Sequence, residues 1–317
     1  MTTMPPTSSA IPLGPTEDAQ PKPHARRSVG KALLSNGATR WGGGVLLILV
    51  FMAALAPWLN TIDPTAIDPG SSNLLPWTHG EFTSLSGETQ SHLFVLGSDS
   101  LGRDIWSRAL YGARVSLVVG LAVTALAVAI GLGFGLLAGY FRRIDGVLMR
   151  VMDGVMAIPA ILFAVSLIAL FGGTLPVVVF AIAVPEIPRV ARLVRSVVLG
   201  VREEPYVEAA IALDTPTWLV LVRHILPNAI APLIIQATYV CATAILVEAI
   251  LSFLGVGLPA ETATWGNIMA EGRSQFNQYP HNVLAPGLLL ALTVLSVNVM
   301  GDGLRDVLDP KFNKRKG

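Results

Sequence analysis

Residues 203–214 read Glu203-Glu204-Pro205-Tyr206-Val207-Glu208-Ala209-Ala210-Ile211-Ala212-Leu213-Asp214, and Ile225-Leu226-Pro227 follows shortly after. This is a polar, helix-prone insert in a very apolar sequence. Proline suits the first turn of a helix, where its missing N–H costs nothing, so Pro205 marks a start. Glu203 and Glu204 beside it suit the positive end of the helix dipole. Val207 and Ile211 share one face with Glu208 beside them, and Ala209, Ala210 and Ala212 keep the surface low enough for close approach. The chain turns at Asp214-Thr215-Pro216. Thr215 is the expected N-cap and Pro216 the first residue of a second helix, Pro216–Leu226, which Pro227 punctuates. Read from its residues alone, the stretch is either a plain connector or a helix shaped to dock in a cleft.

Its surroundings decide what it connects. The chain has 317 residues, 52% hydrophobic and 14% charged, with a mean hydropathy of +0.61. Soluble domains average about 25% charged residues, so the composition is that of an integral membrane protein. Cys241, the single cysteine, excludes an intramolecular disulfide and reads as a small hydrophobe.

A span needs roughly 20 apolar residues. Six runs qualify: Gly43–Leu59, Ser116–Ala138, about Met156–Phe171, a short run from Leu175, Ala229–Leu254 and Val283–Val299. Gly120, Gly131, Gly133 and Gly135 in the second run would let neighbouring helices come close. The expected fold is therefore an all-α polytopic membrane protein with about six transmembrane helices and a cytoplasmic helical loop, about residues 200–227, between spans four and five. Residues 1–41 form a disordered tail, 42–60 the first span, 61–113 an extracytoplasmic segment, 114–305 the core of spans two to six, and 306–317 a second tail. A hairpin formed by runs three and four would leave the parity of the rest unchanged.

Charge sets the orientation. With both termini inside, the N-terminal tail holds Lys22, Arg26, Arg27, Lys31 and Arg40. The second-to-third loop holds Arg142, Arg143 and Arg150, and the fourth-to-fifth loop holds Arg189, Arg192, Arg195, Arg202 and Arg223. The C-terminal tail holds Arg305, Lys311, Lys314, Arg315 and Lys316, leaving only Arg103, Arg108, Arg114 and Arg273 outside. That asymmetry is the positive-inside pattern. Arg189, Arg192 and Arg195 recur at helical spacing and read either as snorkelling into headgroups or as a partner contact.

In the outer segment, residues 61–92 read as loop. From Asp104 the residues Ile105, Trp106, Ala109 and Leu110 recur near a 3.6-residue period and predict an amphipathic helix at the outer interface. In the second outer segment, 255–282, Trp265, Phe276 and Tyr279 read as lipid-surface anchors. Glu248, deep in the fifth run, is either a functional acid or a structural hydrogen-bonding group.

Chemistry-bearing motifs are few. No GxxxxGK[S/T] phosphate loop occurs, and His24, His79, His92, His224 and His281 are scattered without ligand spacing. Neither ATP hydrolysis nor a metal centre is expected of this chain. An ion-coupled secondary transporter would want ionisable residues near mid-membrane in runs two, three and six, which have none. A scaffold without a transport role would not need the long outer segments.

Five collinear stretches resemble ABC-importer permeases of the dipeptide/oligopeptide/nickel family, in the C-type subunit. They are Glu208-Ala209-Ala210 with Ile225-Leu226-Pro227, then Gly97-Ser98-Asp99-Ser100-Leu101-Gly102-Arg103-Asp104, Ala191-Arg192-Leu193-Val194-Arg195, Leu251-Ser252-Phe253-Leu254-Gly255-Val256-Gly257, and Asn298-Val299-Met300-Gly301-Asp302-Gly303-Leu304-Arg305-Asp306-Val307-Leu308-Asp309-Pro310. The resemblance covers about residues 92–312. It implies a non-enzymatic permease that forms half of a translocation path for di- or oligopeptides by alternating access, or for nickel chelates, glutathione or another small solute. It assigns ATPase coupling to Glu203, Glu204, Tyr206, Val207, Glu208, Ala209, Ala210 and Asp214. It makes Gly97, Asp99, Gly102, Arg103, Asp104, Pro227, Gly301, Asp302, Arg305 and Asp306 family-signature residues.

The partners implied are a homologous second permease in a heterodimer, two ATPase subunits that carry the ATP and Mg, an extracytoplasmic substrate-binding protein and the lipid bilayer, with no nucleic acid. This chain itself would bind no cofactor and no metal, and would lie in a bacterial inner membrane. One position departs from the family. Gly usually stands six residues after the motif's glutamate, where this chain has Asp214, and a turn there with φ > 0 suits Gly better than Asp.

Overall fold

The structure, a computed structural model, describes residues 34–83 and 87–308. The two tails, apart from residues 34–41 and 306–308, lie outside the described residues. Helix α1 spans Gly37–Ala54, because Asn36 caps it by accepting from the N–H groups of Ala38 at 2.9 Å and Thr39 at 3.3 Å. The helix thus begins inside the stretch expected to be disordered.

The segment 61–113 is not all loop. Strands β1 (Thr78–Thr83) and β2 (Thr89–Phe94) form an antiparallel hairpin in which Gly80 faces His92. Its inner side buries Phe82 and Phe94 with Ala66. The protein is therefore helical with one added hairpin.

Helix α2 runs Ile105–Tyr140. The amphipathic helix expected at the interface is its first turns. Asp104 caps the helix, with Oδ2 accepting from the Ser107 N–H at 2.9 Å, and no breaker separates Tyr111 from the apolar run. Ile105, Arg108, Ala109 and Leu110 are buried against protein, not lipid.

Helix α3 (Arg142–Met156) and helix α4 (Ala160–Phe171) meet at an 80° bend. Ile158-Pro159 explains the break, since a residue before proline is driven out of the helical region. At 1.5 Å per residue, α4 is about 18 Å long, well short of a bilayer core of about 30 Å. Helix α5 (Leu175–Arg202) follows, then α6 (Pro205–Ala212), α7 (Thr217–Phe253), α8 (Trp265–Gly272) and α9 (His281–Leu308).

By length and composition, four helices among the described residues qualify as spans: α1, α2, α7 and α9, with the bent α3–α4 pair as a fifth at most. The expected count of six is not reached on that test. Helix α5 is long enough, but Glu186, Arg189 and Arg192 interrupt its apolar run.

The core is the α2–α5 seam. A Cβ added to Gly131 would lie 2.6 Å from Val190, one at Gly135 2.5 Å from Val194, and one at Gly139 2.6 Å from Val198. Residues four apart on one helix meet residues four apart on the other in the same order. The two helices therefore run parallel, and a stripe of small residues sets their separation. The chain between them returns through α3 and α4 to the hairpin end, where Gly173 touches the Gly257 carbonyl. Gly120 admits Ile245 and Cys241 of α7, whereas Gly133 faces open space.

Helix α1 packs antiparallel on α9, with Gly42 against the Ser296 carbonyl and Gly303 against Thr39. Trp265 is a core residue, not a lipid anchor. It is fully buried and its Nε1 donates to the Ala109 carbonyl at 3.1 Å.

Candidate functional site

Between α5 and α7 the chain makes one exposed helix, α6. Glu203 ends α5, and Glu204 stands at the N-cap of α6 with Pro205 next. One turn of this helix points inward, since Val207 is fully buried and Ala210 nearly so. Glu203, Glu204, Tyr206, Glu208, Ala209, Ile211, Ala212 and Asp214 are exposed. Val207 and Ile211 therefore do not act together: the inward pair is Val207 and Ala210, three residues apart, and Ala210 belongs to the helix's own support. Tyr206 is fixed from α7, where Asn228 Nδ2 donates to its hydroxyl at 3.2 Å.

The end of α6 is closed by backbone geometry. The Asp214 N–H donates to the Ile211 carbonyl at 3.0 Å, and Asp214 itself has φ 57°. This is a Schellman-type terminus, with the left-handed residue at the position where glycine is usual. The expectation of a φ > 0 turn at Asp214 holds.

The second helix differs from expectation. It starts at Thr217 with Pro216, not Thr215, at the cap. Pro227 does not interrupt it. Leu221–Ile225 form a π-helical turn in which the Leu226 N–H reaches the Leu221 carbonyl five residues back. That wider turn carries the helix past the proline that lacks an N–H.

Two apolar side chains given no role in the sequence, Leu213 and Trp218, join Ile211 on the surface. Ile211 is exposed, Leu213 is 82% exposed and Trp218 66% exposed. A tryptophan inside a polar inter-helix loop was the signal available. The stretch between α5 and the body of α7 thus exposes large apolar side chains together with Glu203, Glu204 and Glu208.

The signature Gly97–Asp104 lies at the other end of the molecule, as a tight knot. Asp99 Oδ1 accepts from the N–H groups of Leu101 at 2.9 Å and Arg103 at 3.0 Å, and its Oδ2 takes Arg103 Nε at 2.7 Å and Arg108 Nη1 at 2.9 Å. Glu271 of α8 receives Arg103 Nη2 and, at 2.7 Å, Arg108 Nη1. Gly97 (φ 80°) and Gly102 (φ 75°) each occupy a turn where a Cβ would strike backbone carbonyl oxygen. Asp104 lies 3.4 Å from His92 Nε2. Arg108 and Glu271 were not singled out in the sequence, because their partners are 163 residues apart.

In the C-terminal signature, Gly301 packs on Thr238, while Asp302, Arg305 and Asp306 are exposed. Glu248 is fully buried. It accepts from Ser252 Oγ at 2.8 Å and Ser116 Oγ at 3.3 Å, a structural arrangement. The arginines of α5 are paired within the chain: Arg192 to Asp153 at 2.5 Å, and Arg195 to both oxygens of Asp145 at 2.5 and 2.6 Å.

Four to five candidate spans, with the exposed helix α6 between α5 and α7, are the architecture of a polytopic membrane protein. The chain belongs to the family of binding-protein-dependent transport system inner membrane components, whose pattern matches residues 131–314, and residues 26–76 match the N-terminal transmembrane domain of oligopeptide transport permease C.

A probable peptide ABC transporter permease of Sinorhizobium fredii is 48% identical over 275 residues, 87% of this chain and 89% of that protein. A dipeptide transport system permease of Alkalihalophilus pseudofirmus is 37% identical over 314 residues, 96% and 99% of the two chains. Among solved structures, the MetNI methionine ABC transporter in an inward-facing conformation superposes with a TM-score of 0.51 at 19% identity, covering 64% of this chain and 96% of its own. That likeness speaks to the fold.

Proposed function

We propose that this chain is the permease subunit of an ATP-driven importer of di- or oligopeptides, and that α6 is where a partner ATPase engages it. The single observation that carries the coupling role is the exposure of Glu208 on α6, Leu213 just after it and Trp218 at the start of α7, with α6 anchored inward by Val207. The peptide cargo is supported by the names of the relatives, which are peptide and dipeptide permeases. The same machinery importing nickel chelates, glutathione or another small solute is the alternative within the class.

In this reading the chain sits in a bacterial inner membrane, with its termini and α6 in the cytoplasm and the hairpin outside. The lysine and arginine asymmetry supports that orientation. A homologous second permease completes the path as a heterodimer, a binding protein delivers cargo at the hairpin end, and two ATPase subunits hold the ATP and Mg. This chain holds no cofactor and performs no hydrolysis of its own. Nucleotide binding biases an alternating-access equilibrium through α6, as a two-state switch requires.

Reconstitution with the partner subunits tests this. The Glu208→Lys variant inserts and assembles but loses substrate-stimulated ATP hydrolysis and uptake. Unchanged uptake in that variant refutes the coupling role.

A further inference from the structure

Helix α5 carries a strip of residues along one face whose exposure changes abruptly. Val178, Ile182 and Pro185 are buried, whereas Arg189, Ser196 and Gly200 are exposed. Arg189 is the first open position, with 41% of its side chain exposed. Its depth follows from the α2–α5 seam. The adjacent Val190 packs on Gly131, inside the apolar run Ser116–Ala138. By helical rise, Gly131 lies about 10 Å above the lower end of that run. A charged side chain exposed there takes its stabilisation from water or a polar partner on its open side.

The guanidinium is held in a fixed pose. Its Nη1 donates to Glu186 Oε1 at 2.6 Å, and Glu186 is buried beneath it. The other carboxylate oxygen, Oε2, has no hydrogen-bond partner among the described residues. Glu186 therefore orients Arg189 from behind, through one nitrogen. Arg189 Nε and Nη2 make no other hydrogen bond among the described residues and are open to the exposed side. Two adjacent guanidinium N–H groups match a carboxylate in forked geometry.

We infer that Arg189, buttressed by Glu186, is a contact for the C-terminal carboxylate of a peptide passing through the permease. The inference rests on the peptide-importer reading. A carboxylate terminus is common to every linear peptide whatever its side chains. One fixed arginine at the closed end of the exposed strip thus serves varied cargo without reading its sequence.

The test uses the complete importer, with its partner subunits and binding protein, in proteoliposomes. Uptake of a defined dipeptide mixture is compared with uptake of the same mixture amidated at the C-terminus, both read by mass spectrometry. Arg189→Met lowers uptake of the free acids about tenfold, the weight of one lost charge-assisted contact, and leaves the amides unchanged. Arg189→Lys retains part of the acid uptake, and Glu186→Gln/Arg189→Met behaves as Arg189→Met does.

Three results overturn the inference. Recovery of acid uptake in the double variant means that Arg189 only neutralises Glu186. An equal fall for acids and amides means that Arg189 seats the second permease subunit. Wild-type importer that takes up neither mixture refutes the peptide reading itself, and the inference falls with it.

Discussion

Arg108 and Glu271 touch at 2.7 Å across 163 residues of sequence, and the arginine is wholly buried. This pair binds the first turns of α2 to α8, so the hairpin end of the molecule is joined through charge as well as packing. Removing one member of a buried ion pair strands the other and costs about 3–5 kcal/mol. Arg108→Met is therefore expected to lower the melting temperature of the detergent-solubilised protein sharply. Glu271→Gln, which keeps shape and is only partly buried, lowers it less. Equal melting temperatures for both variants and wild type would contradict this account.

Asp214 occupies the left-handed position that ends α6. Asp214→Gly removes a steric cost of up to about 1–2 kcal/mol and is expected to preserve uptake while raising stability slightly. Asp214→Val places a β-branched residue at φ > 0 and is expected to distort α6 and abolish coupling. Thermal unfolding and uptake measured on both variants check the contrast.

The α2–α5 seam predicts opposite outcomes for two glycines only two residues apart. Gly135→Leu forces a side chain into Val194 and should destabilise the protein by about 1–3 kcal/mol. Gly133→Leu enters open space and should leave the melting temperature within a degree or two. A similar loss in both variants would mean that the seam is not where the two helices meet most closely.

Val207 is the inward anchor of α6. Val207→Asp buries a charge without a partner and is expected to release the helix, so that limited proteolysis cuts between residues 203 and 216 in the variant but not in wild type. Glu208→Lys, next door but exposed, should leave the cleavage pattern unchanged while removing coupling.

The membrane class was legible because it depends on summed hydropathy and on the placement of lysine and arginine, both of which a single sequence contains. Helix α6 was legible for a local reason: Pro205, the alanines and Asp214 each act within a turn of their own position. The hairpin was not, since Thr78–Thr83 and Thr89–Phe94 show little apolar alternation and their pairing lies beyond local signals. Trp265 was misread because an interfacial tryptophan and a core tryptophan look alike until the Ala109 carbonyl is in place. The shortness of α4 also escaped, because Met156–Phe171 is uniformly apolar and only the Ile158-Pro159 kink divides it. At the candidate site, the acidic and alanine positions were identified in advance, whereas the Leu213 and Trp218 knobs depend on which way the turn at Asp214 throws the chain.

The π turn at Leu221–Ile225 has a mechanical meaning. It keeps Thr217–Phe253 continuous past Pro227, about 55 Å from end to end by helical rise. Continuity is not stiffness, because the π turn and Pro232 further along are both places where a helix bends. A force applied at Trp218 would reach Phe253 through two joints, so the angle between the two ends can change while the backbone stays helical throughout.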